Sequence, residues 1–488
     1  MRLEQLLGSQ YQGQLFNSSF KELDIESISS DSRQVKENSL FVALKGTSAN
    51  GINYIPEAIQ KGARVIATSE QVALPLPAKD ICLLHVDDPH HFLREVARRF
   101  YGNPSQVIRT IGVTGTNGKT TVSYLLESIL ESAGKRSAVM GTVNYRMGKK
   151  VFASVNTTPG LCENQFFLSQ LVKEDFDYCV MEVSSHALAQ GRVDLIDFVT
   201  AIFTNLTSDH LDYHQSRENY FQAKAKLFTG LAPSSSAVIN IDDPFGQRLP
   251  SMTKARCVTY GIKGAADVRA KDIHLSLEGT QFKFISAQEE ISIETSLVGI
   301  YNVYNILAVI AACLKEGLKG DAIREGIRRL KGVPGRLERL DYGQNFSIFI
   351  DYAHTQDALE NVLKTLRQVS RSKIILVFGC GGNRDRTKRP LMGEAAGQWA
   401  DRCIVTSDNP RQEDPRAIID EILPGFKRDN YKVIVDRREA IEVALSAAKE
   451  GDIILIAGKG HEDYQILKDK KIPFYEKDIV KEYFQCLR

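Results

Sequence analysis

The segment Arg109–Thr121, Arg-Thr-Ile-Gly-Val-Thr-Gly-Thr-Asn-Gly-Lys-Thr-Thr, joins a short apolar run to a glycine-rich loop. Arg109–Thr114 has the length of a buried strand, and Lys119–Ala133 carries helical periodicity that stops at Gly134. Strand, loop and helix in that order are the setting a phosphate-binding loop requires. Glycines let the backbone curl so that several N–H groups face the phosphates. The candidate cradle is Gly115, Thr116, Asn117, Gly118, Lys119, Thr120 and Thr121. Lys119 would reach the terminal phosphates, Thr120 would place its hydroxyl on Mg²⁺, and the helix N-terminus adds a favourable dipole. The usual spacing asks for glycine at position 113. Here Val113 stands there, and the glycines fall at 112, 115 and 118. An ordinary glycine-rich turn is the alternative, and the strand–loop–helix context weighs against it.

Further along, Tyr178–Val183 and Val199–Phe203 are apolar runs of buried-strand length. Strands alternating with helices predict a parallel sheet covered on both faces. Residues 267–297 change texture: Ile273, Leu275 and Leu277 alternate with polar residues, which predicts added antiparallel strands before a helix at Asn302–Lys315. Gly-Asn-Pro at 102–104 and Gly-Val-Pro-Gly at 332–335 are breaker clusters. They divide the 488 residues into an N-terminal α/β domain (1–106), a central domain with the phosphate loop (107–334) and a C-terminal domain (335–488). In the last, Phe346–Ile350, Lys373–Phe378, Cys403–Thr406, Val433–Val435 and Ile453–Ala457 predict a second doubly wound, Rossmann-like unit.

Composition narrows the function. Lys+Arg is 62 against Asp+Glu 60, a net charge of +2, which provides no electrostatic footprint for nucleic acid or an anionic membrane. The eight cysteines are scattered without zinc-site spacing and read as reduced residues. Glu4 interrupts the opening Met-Arg-Leu-Glu-Gln-Leu-Leu, and the longest apolar run, Ile306–Leu314, is nine residues. A soluble, cytoplasmic, monomeric protein is expected.

Glu182 ends a strand-like run, which places its carboxylate at the carboxyl edge of the sheet beside the phosphate loop. His210 follows another such run. With Thr120 and phosphate oxygens, these could form a Mg²⁺ site. In the C-terminal part, Gly379–Arg389 follows a strand and carries three arginines and a lysine, while Asp408-Asn409-Pro410-Arg411 follows the next. Arginine is the planar partner of carboxylates, and Asp408 and Glu462 could hold ammonium groups. A substrate with several carboxylates and amines fits this set.

The loop Thr114–Thr121 resembles that of the Mur ligase family, the ATP-dependent amide ligases of peptidoglycan precursor synthesis. The resemblance continues in order through Met181–His186, Thr204–His214, Gly299–Asn305, Gly335-Arg336, Asp351–Thr355, Gly379–Met392, Asp408–Arg411 and Gly458–Glu462. It implies ATP and Mg²⁺ as cofactors, with Lys119, Glu182, His210 and Lys224 catalytic and Thr120, Glu182, His210 and Lys224 at the metal. It also implies a CO₂-derived carbamate on Lys224, for which Lys226 is a nearby competitor by spacing alone. Asn302 and Asn305 would lie near the adenine, and Arg336 and Asp351 would approach ATP from the third domain. Ser30, Ser32, Thr47, Ser48 and Ala49 match uridine-diphosphate contacts. Asn156, Thr157, Thr158, Ser184, Gln190 and Arg192 match the segments that hold a muramoyl peptide. Arg389, Asp408, Asn409, Pro410, Arg411, Gly458 and Glu462 match an amino-acid pocket. The substrates implied are UDP-N-acetylmuramoyl-L-alanyl-D-glutamate and meso-diaminopimelate, because Asp-Asn-Pro-Arg resembles the signature of members adding that amino acid. Lysine-adding relatives lack the matching arginine. The rivals are a lysine-adding or folate-glutamating ligase and, outside the class, a phosphate-loop motor or switch. Asn383 and Gln356 depart from the residues usual in the family.

Overall fold

The computed structural model describes residues 1–12, 18–46, 49–72, 80–207, 209–287 and 289–486. Its centre is an eleven-stranded sheet in which the strand Arg109–Thr114 lies between Phe198–Phe203 and Tyr178–Glu182, parallel to both. Register follows from burial on both faces: Val113 pairs with Ile202 on one side and Glu182 on the other. Alternate side chains feed two cores. Ile111, Val113, Val180 and Ile202 pack against the helices Lys119–Ser132 and Ile300–Lys315. Cys179, Met181, Ala201 and Phe203 pack with residues of Leu161–Lys173 and Arg217–Thr229 on the opposite face. Two-sided burial is why these strands read as unbroken apolar runs. The predicted antiparallel addition is present as Val268–Leu275, Thr280–Ile285 and Glu290–Thr295.

Residues Ser27–His85 contain a four-stranded parallel sheet. The C-terminal part holds a six-stranded sheet, parallel except for its edge strand Glu338–Leu340. Its strands Ser347–Asp351, Ile374–Phe378, Arg402–Val405 and Ile453–Ala457 deliver Asp351, the loop from Gly379, Asp408 and Gly458 to one carboxyl edge. That edge is where open parallel sheets bind ligands. One strand is shifted from expectation. Tyr431–Val433 pairs with Cys403–Val405, so Ile434 and Val435 lie past its end. Two hairpins were not anticipated: Asn144–Met147 with Lys150–Ala153, and Tyr464–Leu467 with Lys470–Pro473. Among the described residues no helix is long and apolar enough to cross a membrane.

Candidate active site

The phosphate loop is clamped from the strand beside it. The segment after Phe203 bonds it repeatedly: Thr116 N–H donates to the Asn205 carbonyl (2.9 Å), Asn117 N–H to Asn205 Oδ1 (3.0 Å), and Thr204 Oγ1 to the Asn117 carbonyl (2.6 Å). Gly115 and Gly118 have φ of 152° and 92°. A Cβ on Gly115 would lie 1.8 Å from Thr204 Oγ1, and one on Gly118 2.4 Å from Asn305 Oδ1. Only glycine fits such a cradle, and its bare backbone is what phosphate oxygens need.

Lys119 Nζ donates to the carbonyls of Gly115 and Thr116, both at 2.9 Å. Burial lowers its pKa, opposed by the charges of Glu182 and Asp209. The next residue, Thr120, gives its hydroxyl to Glu182 Oε2 (3.2 Å). Glu182 is 1% exposed and also accepts from Thr142 N–H (3.1 Å) and Thr142 Oγ1 (2.8 Å). A hydroxyl and a carboxylate side by side at a helix N-terminus are hard oxygen donors of the kind Mg²⁺ takes. Phosphate oxygens and waters usually complete its shell. No cluster of three or more His, Cys, Asp or Glu is gathered for a metal among the described residues. Thr120 and Glu182 fit a cation shared with a bound phosphate.

Lys224 and Lys226 separate cleanly. Lys224 is 1% exposed, whereas Lys226 points outward from the same helix. Lys224 Nζ donates to the Gly115 carbonyl at 2.8 Å, the oxygen Lys119 also uses, and lies 4.5 Å from the centre of the Tyr220 ring. Burial first, and then the Lys119 charge, pushes its pKa well below the ordinary lysine value. His210 has φ 52°. Its Nε2 lies 3.5 Å from Asp209, and its ring packs edge-on to His186 with centroids 4.9 Å apart. The four residues expected at a metal are thus arranged as one bonded pair, Thr120–Glu182, with Lys224 on the loop carbonyl and His210 on its own partners.

The residues matched to the acceptor form one network. Thr158, fully buried, donates to the Glu182 carbonyl (2.7 Å), and its hydroxyl accepts Ser184 N–H (3.0 Å). Arg192 Nη1 donates to the Thr158 carbonyl (3.0 Å) and its Nε to Gln190 Oε1 (2.8 Å). Thr157 Oγ1 is 3.1 Å from Thr142 Oγ1, and the exposed Asn156 offers its carbonyl to Tyr145 Oη. Beside the N-terminal sheet Ser30 is half-buried, Ser32 donates to Glu57 Oε2 (2.7 Å), and Ala49 is exposed. Thr47 and Ser48 lie outside the described residues.

Asn302 and Asn305 share a buried helix face, with Asn305 Nδ2 donating to Asn302 Oδ1 (3.0 Å). Arg336, from the C-terminal part, reaches the phosphate loop and donates to Thr120 Oγ1 (3.3 Å). Asp351 accepts from Leu337 N–H (2.6 Å) and Ala353 N–H (2.8 Å). Burial drives its carboxyl up to about 6, against the pull of Arg336.

Among the residues expected to form an amino-acid pocket, two loops are stitched together. Gly382 N–H donates to the Asn409 carbonyl (2.9 Å), Gln412 N–H to Asn383 Oδ1 (3.0 Å), and Arg411 Nη1 to the Gly382 carbonyl (2.9 Å). Asn383 and Arg411 both have positive φ, 51° and 54°. Asparagine is a side chain that tolerates this conformation, so the departure at 383 suits its place. Arg389 differs from its expected role as an open carboxylate partner. It is fully buried and spends its fork on Glu413 and Glu421 (2.7–2.9 Å). The loop needs a buried strut here, and two carboxylates on the following segment supply the countercharge. Asp408 and Pro410 are buried, and a Cβ on Gly458 would lie 2.8 Å from Asp408 Oδ2. Asn409 Nδ2 donates to Glu462 Oε2 at 2.8 Å.

Sequence reading missed Thr142, Glu413 and Lys459. Thr142 sits in no recognisable pattern. Glu413 and Lys459 are charged residues in loops, where a solvated side chain is the ordinary expectation. The Gly-Lys-Gly turn at 458–460 was the available signal for Lys459.

A glycine cradle at the end of the central strand of a parallel sheet defines a phosphate-binding α/β protein. Family models described as the Mur ligase family catalytic domain, the Mur ligase middle domain and the Mur ligase glutamate ligase domain match residues 24–101, 113–313 and 335–460. The chain is 45% identical over 471 residues to a UDP-N-acetylmuramoyl-L-alanyl-D-glutamate–2,6-diaminopimelate ligase of Clostridium tetani, covering 96% of each chain. To the ligase of the same description from Clostridium botulinum it is 44% identical over 461 residues, 94% of this chain and 95% of that one. A solved structure with that description superimposes with a TM-score of 0.69 at 32% identity, covering 100% of this chain and 99% of the other. The chain belongs to the Mur ligase family and is an ATP-dependent ligase.

Proposed function

We propose that this ligase joins meso-diaminopimelate to UDP-N-acetylmuramoyl-L-alanyl-D-glutamate, in peptidoglycan precursor synthesis. The observation that carries the choice of amino acid is the stitched pocket of Asp408, Asn409, Arg411 and Glu462, which presents both signs of charge at one sheet edge. The names of the relatives from the two clostridia point to the same substrates.

The γ-phosphoryl group of ATP passes to the γ-carboxylate of the acceptor's D-glutamate, and ADP leaves. The amine of the amino acid attacks the acyl carbon, phosphate leaves, the amide forms and the amine gives up a proton. Lys119 binds the phosphates, the backbone of residues 115–121 cradles them, and Asn302 and Asn305 lie toward the base. Arg336 and Asp351 close the site from the C-terminal side. The Thr157–Thr158–Ser184–Gln190–Arg192 network, with Asn156, orients the peptide. Ser30, Ser32 and residues 47–49 hold the uridine diphosphate. Mg²⁺, held by Thr120 and Glu182 with His210 nearby, would supply charge neutralisation at the phosphates.

A buried, neutral Lys224 amine can add to the carbon of CO₂ and release one proton to solvent, giving an anionic carbamate in place of a second cation beside Lys119. The three catalytic parts divide at 106/107 and 334/335, and the enzyme works as a cytoplasmic monomer. A panel of amino acids incubated with ATP and the nucleotide dipeptide, read by product mass, tests the proposal. Product should gain one diaminopimelate residue. Product gained only with lysine or glutamate would overturn it.

A further inference from the structure

Among the described residues, three buried cations gather at the proposed amino-acid pocket, and two of them are struts. Arg389 is tied to Glu413 and Glu421, and Arg437 to Glu476 and to the carbonyls of Ser407 and Ala457. The third, Lys459, is built into the pocket itself. Its Nζ donates to Asn409 Oδ1 (3.2 Å) and to Glu462 Oε2 (3.0 Å). Asn409 Oδ1 also accepts Ile466 N–H (2.9 Å), so the amide is oriented and its Nδ2 must face Glu462. Gly458 and Gly460, with φ of 119° and 57°, turn Lys459 inward from the strand end.

We propose that Lys459 is a specificity-determining residue that makes this pocket select a zwitterionic end group over a bare ammonium. The inference rests on the proposed amino-acid substrate. Six charges converge around Tyr464: Asp408, Glu462, Asp463 and Arg411 act on it electrostatically, and Lys459 and Lys471 lie 5.5 Å and 3.5 Å from its ring centre. Three cations and three carboxylates cancel. Of these, Asp463 and Lys471 are exposed. A neutral pocket suits the far end of meso-diaminopimelate, which carries one ammonium and one carboxylate. The far end of lysine carries an ammonium alone, and it would leave the filled pocket with an uncompensated positive charge. Without Lys459 the pocket is net negative, and the bare ammonium gains. The charge acts at a few ångströms in a partly desolvated site, where such effects are large.

The test uses the full-length enzyme with ATP, the nucleotide dipeptide and either amino acid. In Lys459→Met the ratio of kcat/KM for meso-diaminopimelate over lysine should fall about tenfold, with KM for ATP unchanged. Glu462→Gln shifts the pocket charge the opposite way, so that ratio should widen. Lys459→Arg keeps the charge and should keep most of the preference, which provides a readout if the methionine variant does not fold. A purely structural role would move both amino acids together in every variant, and a ratio unchanged in both Lys459→Met and Glu462→Gln would overturn the inference. A wild-type enzyme that makes no product with meso-diaminopimelate would overturn the proposed substrate, and the inference with it.

Discussion

At the residue scale the active site is governed by what burial does to charge. Lys119 and Lys224 both donate to the Gly115 carbonyl, and two ammonium groups on one oxygen repel. Desolvation and the Lys119 charge both favour the neutral amine of Lys224, the form that can attack CO₂. Lys224→Ala should lose at least about a hundredfold in turnover and regain part of it with formate or acetate. With ¹³C-labelled bicarbonate, the wild type should show a carbamate carbon resonance that the variant lacks. Absence of both rescue and resonance would remove the carbamate from the mechanism. Asp351 is the opposite case, an acid whose buried carboxyl is pushed up to about 6. A carboxyl with a raised folded pKa binds its proton more tightly in the folded state. Its contribution to stability is therefore greatest below the unfolded value near 4 and declines as pH rises to 6. Asp351→Asn should flatten the fall in unfolding free energy across that window, by up to about 3 kcal/mol. Denaturant unfolding at pH 4 and pH 6.5 checks it, and parallel profiles for the two proteins would refute it.

At the element scale the phosphate loop depends on backbone that only glycine can supply. Gly118 caps the helix Lys119–Ser132 at φ 92°, and a Cβ there would overlap Asn305 Oδ1. Gly118→Ala should cost about 2 kcal/mol from the positive φ and crowding together. It should also displace Asn305 and weaken nucleotide binding, measured by calorimetry with ADP. Unchanged affinity would separate this glycine from the nucleotide site. The same elements show what was legible in the sequence. The strand Arg109–Thr114 and its helix announced themselves because two-sided burial and a loop of glycines leave strong patterns. Asp351 and Gly458 were readable because each directly follows an apolar run, and Asp408 because it lies two residues beyond one. The hairpin Asn144–Ala153 was not, since its outer strand is exposed throughout and has no apolar face to alternate. Nor could the sequence show that Arg389 spends its fork on Glu413 and Glu421, residues 24 and 32 positions away. Spacing alone could not choose between Lys224 and Lys226, because only packing around the helix Arg217–Thr229 decides which one is buried.

At the scale of the whole molecule, the proposed nucleotide and amino-acid sites lie on different sheets, yet one row of side chains joins them. Arg336 donates to Thr120 on the phosphate loop, and its guanidinium carbon lies 4.9 Å from the centre of the Tyr352 ring. Tyr352 packs in turn against His461, ring centroids 4.9 Å apart, two residues beyond Lys459. The backbone follows the same route, since Tyr352 N–H donates to the Gly335 carbonyl (2.8 Å), and a Cβ on Gly335 would meet His461 N at 2.4 Å. A second bridge, Thr207 Oγ1 to Asp357 Oδ2 (3.0 Å), holds the same two parts together. Cutting the first bridge should therefore uncouple the sites without separating the domains. In the wild type, nucleotide should tighten amino-acid binding, and linkage requires the reverse effect to be equal. A coupling of about tenfold is the expected size. Arg336→Ala should reduce that factor toward one, lower kcat and weaken nucleotide binding, because Arg336 itself reaches the phosphate loop, while the amino acid alone binds nearly as before, because the Asp408–Glu462 pocket is left intact. Calorimetric titrations with each ligand, in the presence and absence of the other, measure the factor directly. If Arg336→Ala kept the wild-type coupling, the row from Thr120 to His461 would be packing alone, and the sites would communicate by another path.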